Sequence, residues 1–232
     1  MVTGERLPAP QVVGTLPSGK KRRMPSTSTP KEIGELVDTM KRASAALRDA
    51  GIPFMLGGGL AAWARGGPPT DHDVDFLVAE SDASRALEAL VEAGLRAERP
   101  PEEWLLKAYD GEVLVDLIFR PSGGAVTPEH FERATRMEVL GQTLLVASID
   151  DVLVTKLLAL TEQEPNFQPV LALARALREQ IDWRYVREKS NGSPFGRAFF
   201  TLVEGLGIVG PGSAESAPGS APKDDASVSA IA

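Results

Sequence analysis

The stretch from Phe54 to Glu80, FMLGGGLAAWARGGPPTDHDVDFLVAE, constrains the fold more than any other part of the chain. An apolar run, PFML, reads as a short buried strand; Gly57, Gly58 and Gly59 turn it into a brief helix around LAAWAR; VDFLVA then reads as a second strand, with Asp73 and Asp75 at its head. Strand residues i and i+2 point to one side, so the two carboxylates project together while Val74 and Phe76 face the other way. Like charges that close repel each other. Burying them without partners is costly, and they respond by raising a pKa unless a cation sits between them. A third carboxylate, Asp116, interrupts VLVDLIF on the side shared with Leu114 and Ile118, where alternation requires an apolar residue. A divalent metal accounts for all three. The chain has no cysteine, and His72 reads as a turn residue, so three hard oxygen ligands select Mg²⁺ or Mn²⁺ over zinc.

The remaining pattern is that of an α/β (α+β) protein. TPKEIGELVDTMKRASAALRDAG opens with a capping-box start and places Ile33, Leu36, Val37, Met40 and Leu47 on one helical face, closed by Gly51. A second amphipathic helix, ASRALEALVEAG, ends at Gly94. EWLLKAY and EVLVDLIF flank Asp110-Gly111, a hairpin signal, and RMEVL and QTLLVA flank Gly141 in the same manner. SIDD caps a helix carrying VLVTKLLAL, and two further helices are expected, near 167–180 and from Ser193-Pro194 to 204. The order predicts a mixed β-sheet flanked by helices, with a C-terminal helical portion. Phe76, Trp63 and Trp104 are assigned to the core.

Four segments follow. Residues 1–28, rich in Pro, Gly, Ser and Thr and carrying Lys20, Lys21, Arg22 and Arg23, are expected to be a disordered basic tail; 29–148 the sheet core; 149–206 the C-terminal helical portion; and 207–232 a disordered low-complexity tail. At 232 residues the chain can bury a core without disulfide or structural metal. Its net charge of −7 argues against a surface coated in cations for non-specific nucleic-acid binding, though not against a local basic patch. No apolar run reaches the roughly 18 residues of a membrane span, and the first residues lack the apolar centre of a secretory signal, so cytoplasm is the default location and no membrane partner is expected.

Gly57–Gly59 fits neither the dinucleotide-binding pattern nor the Walker loop, yet bare backbone N–H groups at a strand-to-helix turn can cradle phosphate. Taken together, LGGGLA, then DVD, then one acid in a later strand resembles the nucleotidyltransferase superfamily typified by DNA polymerase beta. Within it, GGLAAWARGGPPTDHDVDFLV is most similar to bacterial nucleotidyltransferases grouped around the toxins of AbiE-type toxin–antitoxin pairs, with Gly58, Gly59, Ala61, Gly66, Thr70, Asp73 and Asp75 on the motif's positions. Lys156, in DVLVTKLLAL, occupies the place of that group's helical lysine. The chain departs from the group at Pro68, where an arginine is common, and at Asn166 and Pro169, where acidic residues are usual.

The resemblance implies transfer of a nucleoside monophosphate from an NTP to an acceptor, with release of pyrophosphate. Asp73, Asp75 and Asp116 would be the metal ligands; Gly58, Gly59, Arg65, Thr70 and Lys156 would meet the nucleotide, with Lys156 neutralising charge on the triphosphate. The implied partners are an NTP, an acceptor such as tRNA, and an antitoxin protein. Two other outcomes remain open from sequence: the same chemistry on a small molecule or protein, and a non-catalytic nucleotide- or partner-binding protein on the same fold.

Overall fold

A computed structural model describes residues 30–69, 73–98 and 100–210. Thr70 and His72, the tail 1–28 and residues 211–232 lie outside the described residues. Among the described residues no helix is long and apolar enough to cross a membrane.

The sheet has seven strands: β1 (Phe54–Leu56), β2 (Asp73–Val78), β3 (Arg96–Glu98), β4 (Leu105–Asp110), β5 (Val113–Ile118), β6 (Thr135–Val139) and β7 (Gln142–Val146), in the spatial order β3-β4-β5-β2-β1-β7-β6. β2 pairs parallel with β5 and β1 parallel with β7, whereas the other neighbours are antiparallel. The sheet is therefore mixed, as expected, with helices at its flanks. Val74, Phe76 and Val78 of β2 are buried and alternate with the half-buried Asp73, Asp75 and Leu77, the period-2 pattern of a strand whose two faces have different neighbours. The apolar face is continued by Val115 and Leu117 of β5 and covered by α1 (Pro30–Asp49) and α3 (Ala83–Glu92). From these helices Met40, Ala43, Leu47, Ala86 and Leu90 are buried at helical spacing. Asp110 at the end of β4 ties α1 to the sheet, accepting hydrogen bonds from Thr39 Oγ1 at 2.9 Å and Arg42 at 2.6 Å.

Both hairpins form. The second turns through Leu140-Gly141, as expected. In the first, Asp110 pairs with Val113, so the loop is Gly111-Glu112, one residue later than the Asp110-Gly111 loop read from sequence.

The carboxylate-bearing face is approached by α2 (Gly58–Ala64) and by α5 (Ile149–Leu158), which is capped by Ser148 through the Asp151 N–H, as SIDD implied. Against α5 pack α6 (Gln168–Leu177), α7 (Trp183–Ser190) and α8 (Pro194–Gly205). Buried contacts continue to Val209, a few residues past 206. Asp151 joins this portion together. It accepts two hydrogen bonds from Arg133 at 3.1 and 2.9 Å, one from Ser148 Oγ at 2.9 Å and one from Tyr185 Oη at 2.8 Å. Arg133 ends α4 (Pro128–Arg133), so one buried carboxylate links α4, α5 and α7.

Two α-helices and one strand have no counterpart in the sequence reading. α4 buries no residue, β3 is an exposed edge strand, and α7, WRYVREKS, buries only Val186 and Ser190. Phe76 is fully buried, but Trp63 and Trp104 are 38% and 43% exposed and do not belong to the core. Trp63 follows Leu60, Ala61 and Ala62, the residues by which α2 is buried, and points off that face.

Candidate active site

The parallel pairing of β2 with β5 sets Asp75 directly beside Asp116 in register, with Asp73 two residues along the same face. One oxygen from each of the three carboxylates lies within 4.8 Å of the others. Two adjacent strands thus converge three acids on one point, although 41 residues of sequence separate Asp75 from Asp116.

Electrostatics show how unfavourable that convergence is without a cation. Asp75 keeps an edge open to solvent but is otherwise enclosed, and this burial, then the charges of Asp73 and Asp116, push its pKa up to about 7; the Lys156 cation and a hydrogen bond from the Gly59 N–H act in the opposite direction. Asp116 is also raised by burial and by Asp73, against the lowering effect of Lys107. Its Oδ1 is buried and accepts no hydrogen bond. Three carboxylates brought this close, one of them with a buried oxygen that makes no ordinary hydrogen bond, have the chemistry of a divalent-cation site.

The glycine turn is built around Asp75. Gly57 donates its N–H to the Asp75 carbonyl at 2.8 Å, and Gly59 donates to the Asp75 side chain. Gly58 has φ +51°, and a Cβ there would lie 1.6 Å from Asp75 Oδ2. The carboxylate occupies the space that any other residue's side chain would fill, so glycine is required by close approach as well as by backbone conformation.

Lys156 projects from α5 near enough to act on Asp75, whereas Arg65 does not join the cluster. Its guanidinium donates to the carbonyls of Ala147 at 3.0 Å and Val146 at 3.1 Å and fastens the end of α2 to β7. Thr70 lies outside the described residues. Asn166 accepts from the Gln168 N–H at 3.1 Å and so helps to start α6, a local structural role for one of the positions where the chain departs from the toxin group.

Lys107 is a site residue that sequence reasoning missed. It is the direct cross-strand partner of Asp116, with Nζ 3.6 Å from Asp116 Oδ1. The alternation Leu105, Lys107, Tyr109 put it on one face of β4, but the face and the partner depend on the hairpin loop.

A strand, a glycine turn, a short helix and a triad of acids able to hold a metal on two parallel strands are those of a nucleotidyltransferase of the polymerase-beta-like superfamily. The family described as "Nucleotidyl transferase of unknown function (DUF2204)" matches residues 36–195, and the chain belongs to it. No curated protein matches by sequence. Solved structures resemble the fold, among them two of one protein. The solution structure of the antibiotic-resistance factor ANT(2'')-Ia has a TM-score of 0.52 and 14% identity, covering 74% of this chain and 96% of that one. The crystal structure of ANT(2'')-Ia in complex with adenylyl-2''-tobramycin has a TM-score of 0.50 and 17% identity, covering 72% and 97%. At that identity the likeness is one of fold.

Proposed function

We propose that the chain moves a nucleoside monophosphate from an NTP to a hydroxyl or amine of its acceptor, with release of pyrophosphate, using Mg²⁺ or Mn²⁺ held by Asp73, Asp75 and Asp116. The observation that carries this is the in-register pairing of Asp75 with Asp116, which brings one oxygen each of Asp73, Asp75 and Asp116 within 4.8 Å of one another. Bound there, a divalent ion supplies charge neutralisation on the triphosphate and lowers the pKa of the acceptor group. The chain's own residues do the positioning. Gly58 lets the turn close on the Asp75 carboxylate, Gly59 steadies that carboxylate through its N–H, and the two glycines offer their backbone to the triphosphate. Lys156 neutralises negative charge that builds on the phosphates. Asp116, on β5 beside Asp75, aligns the attacking group and accepts its proton. Arg65 also serves the scaffold, giving its Nε and Nη2 to the carbonyls of Ala147 and Val146.

The acceptor is the finer question. Glu102 acts on Asp116 from nearby, so an acid borders this side of the site, while Glu98, opposite Lys107, is ion-paired with Arg96. Such a border repels a phosphate backbone and accommodates a small neutral or cationic acceptor. ANT(2'')-Ia, whose crystal structure holds an adenylylated tobramycin, offers a precedent on the same fold. The sequence likeness to AbiE-type toxins supports the other acceptor class, tRNA, with an antitoxin as partner. Incubation with each α-labelled NTP, Mg²⁺ and a cell extract separates them. Label in small molecules supports the first acceptor, label in RNA the second, and no incorporation from any NTP overturns the transferase proposal.

A further inference from the structure

Lys107 and Asp116 form an ion pair of an unusual kind. They are direct partners across β4 and β5, with side chains 22% and 12% exposed, yet the ammonium stops 3.6 Å from Oδ1, a long and weak contact. A lysine stem has four rotatable bonds and could close such a gap, but Oδ1 makes no hydrogen bond of ordinary length. The contact compensates the Asp116 charge and favours the ionised form, without a tight hydrogen bond that a competing cation would have to break. Lys107 also retains an exposed side along which its head can move to water, as long lysine stems commonly do.

We infer that Lys107 is a displaceable internal counter-ion of the metal site: it compensates Asp116 in the metal-free protein, withdraws toward solvent when a divalent cation takes the Asp116 carboxylate, and by that competition sets the affinity of the site. The inference rests on the triad's holding a divalent ion, as proposed above. An ion arriving at Asp116 must compete with a cation already tethered to the neighbouring strand, so removing the tethered charge strengthens metal binding and weakens the empty protein.

Mn²⁺ binding to the full chain, followed by electron paramagnetic resonance, and thermal unfolding in EDTA test this together. Lys107→Met, which keeps the stem and removes the charge, is expected to bind Mn²⁺ about fivefold more tightly, the size of a partly exposed ion pair, and to melt lower without metal. Lys107→Gln repeats the test if the first variant does not fold, and Lys107→Arg, which keeps the charge, should stay near wild type in affinity. Unchanged or weaker Mn²⁺ binding in both neutral variants overturns the inference. If wild-type binding is lost in Asp75→Asn but unaltered in the Lys107 variants, the triad stands and the counter-ion falls. If Asp75→Asn and Asp116→Asn leave Mn²⁺ binding intact, the triad falls and takes the counter-ion with it.

Discussion

Gly58→Ala isolates the fit between the glycine turn and the carboxylate it surrounds. The added methyl would meet Asp75 Oδ2 at 1.6 Å and Asp75 Cγ at 2.6 Å, so the Asp75 side chain or the turn must move. Two costs add: about 1–2 kcal/mol for a non-glycine residue in left-handed backbone, and about 1–3 kcal/mol for overpacking a well-filled site. The expected loss is roughly 2–5 kcal/mol, or about 4–20 °C in melting temperature at some 2–4 °C per kcal/mol for a body of this size. Gly66→Ala is the control. Gly66 also has positive φ, +94°, but nothing lies within 4 Å of an added Cβ, so only the backbone cost applies. Urea unfolding of both variants, with Mn²⁺ titrations alongside, should show Gly58→Ala as the less stable and at least about tenfold weaker for metal, because it displaces a ligand. Equal destabilisation of the two variants, with metal affinity unchanged in Gly58→Ala, would refute the close packing of the turn on Asp75.

Three more outcomes are expected. Asp75 has a folded pKa raised from 3.8 to about 7, so between those values the folded state binds more protons than the unfolded one. Stability in EDTA should therefore fall as pH rises through that window, less steeply in Asp75→Asn, and saturating Mn²⁺ should restore it at pH 7; a wild-type slope equal to that of the variant would contradict the assignment. Lys156→Met should leave the urea midpoint nearly unchanged while weakening Mg²⁺-dependent NTP binding about tenfold by equilibrium dialysis, and unaltered binding would assign Lys156 to solvent. Asp151→Asn breaks the bidentate Arg133 pair that links α4, α5 and α7 and should cost about 2–4 kcal/mol in urea while leaving Mn²⁺ affinity alone; a parallel loss of metal binding would mean that the helical portion shapes the triad.

What was legible in the sequence was whatever violated a local pattern. Asp73, Asp75 and Asp116 stand out because strand alternation gives their faces in advance, and an acid at an apolar position requires a reason. Their convergence also needed β2 to lie beside β5 in parallel, which no local signal encodes. Lys107 was hidden by a single residue of turn geometry. A loop at Asp110-Gly111 pairs Tyr109 with Glu112 and so sets Leu105 opposite Asp116; the observed loop at Gly111-Glu112 pairs Asp110 with Val113 and brings Lys107 there instead. The scaffold contacts of Arg65 were hidden for a different reason. Its position beside the glycine turn suggested phosphate, whereas the carbonyls it reaches, those of Val146 at the end of β7 and of Ala147 just past it, lie some eighty residues away in sequence. α7 escaped because a mostly polar helix with Val186 and Ser190 as its buried residues has no apolar stripe, and only its Asp182 cap, which accepts from the Tyr185 N–H, marks its start.

Crystals grown with Mn²⁺ and α,β-methylene analogues of the four NTPs in turn give the most direct measurement, because manganese is located by its own anomalous scattering. The predicted result is a manganese peak bounded by the carboxylates of Asp73, Asp75 and Asp116, the triphosphate beside Gly58 and Lys156, and the Lys107 ammonium drawn away from Asp116. A triphosphate bound elsewhere, or an ion-free triad with Lys107 still paired to Asp116 at saturating Mn²⁺ and nucleotide, would contradict it.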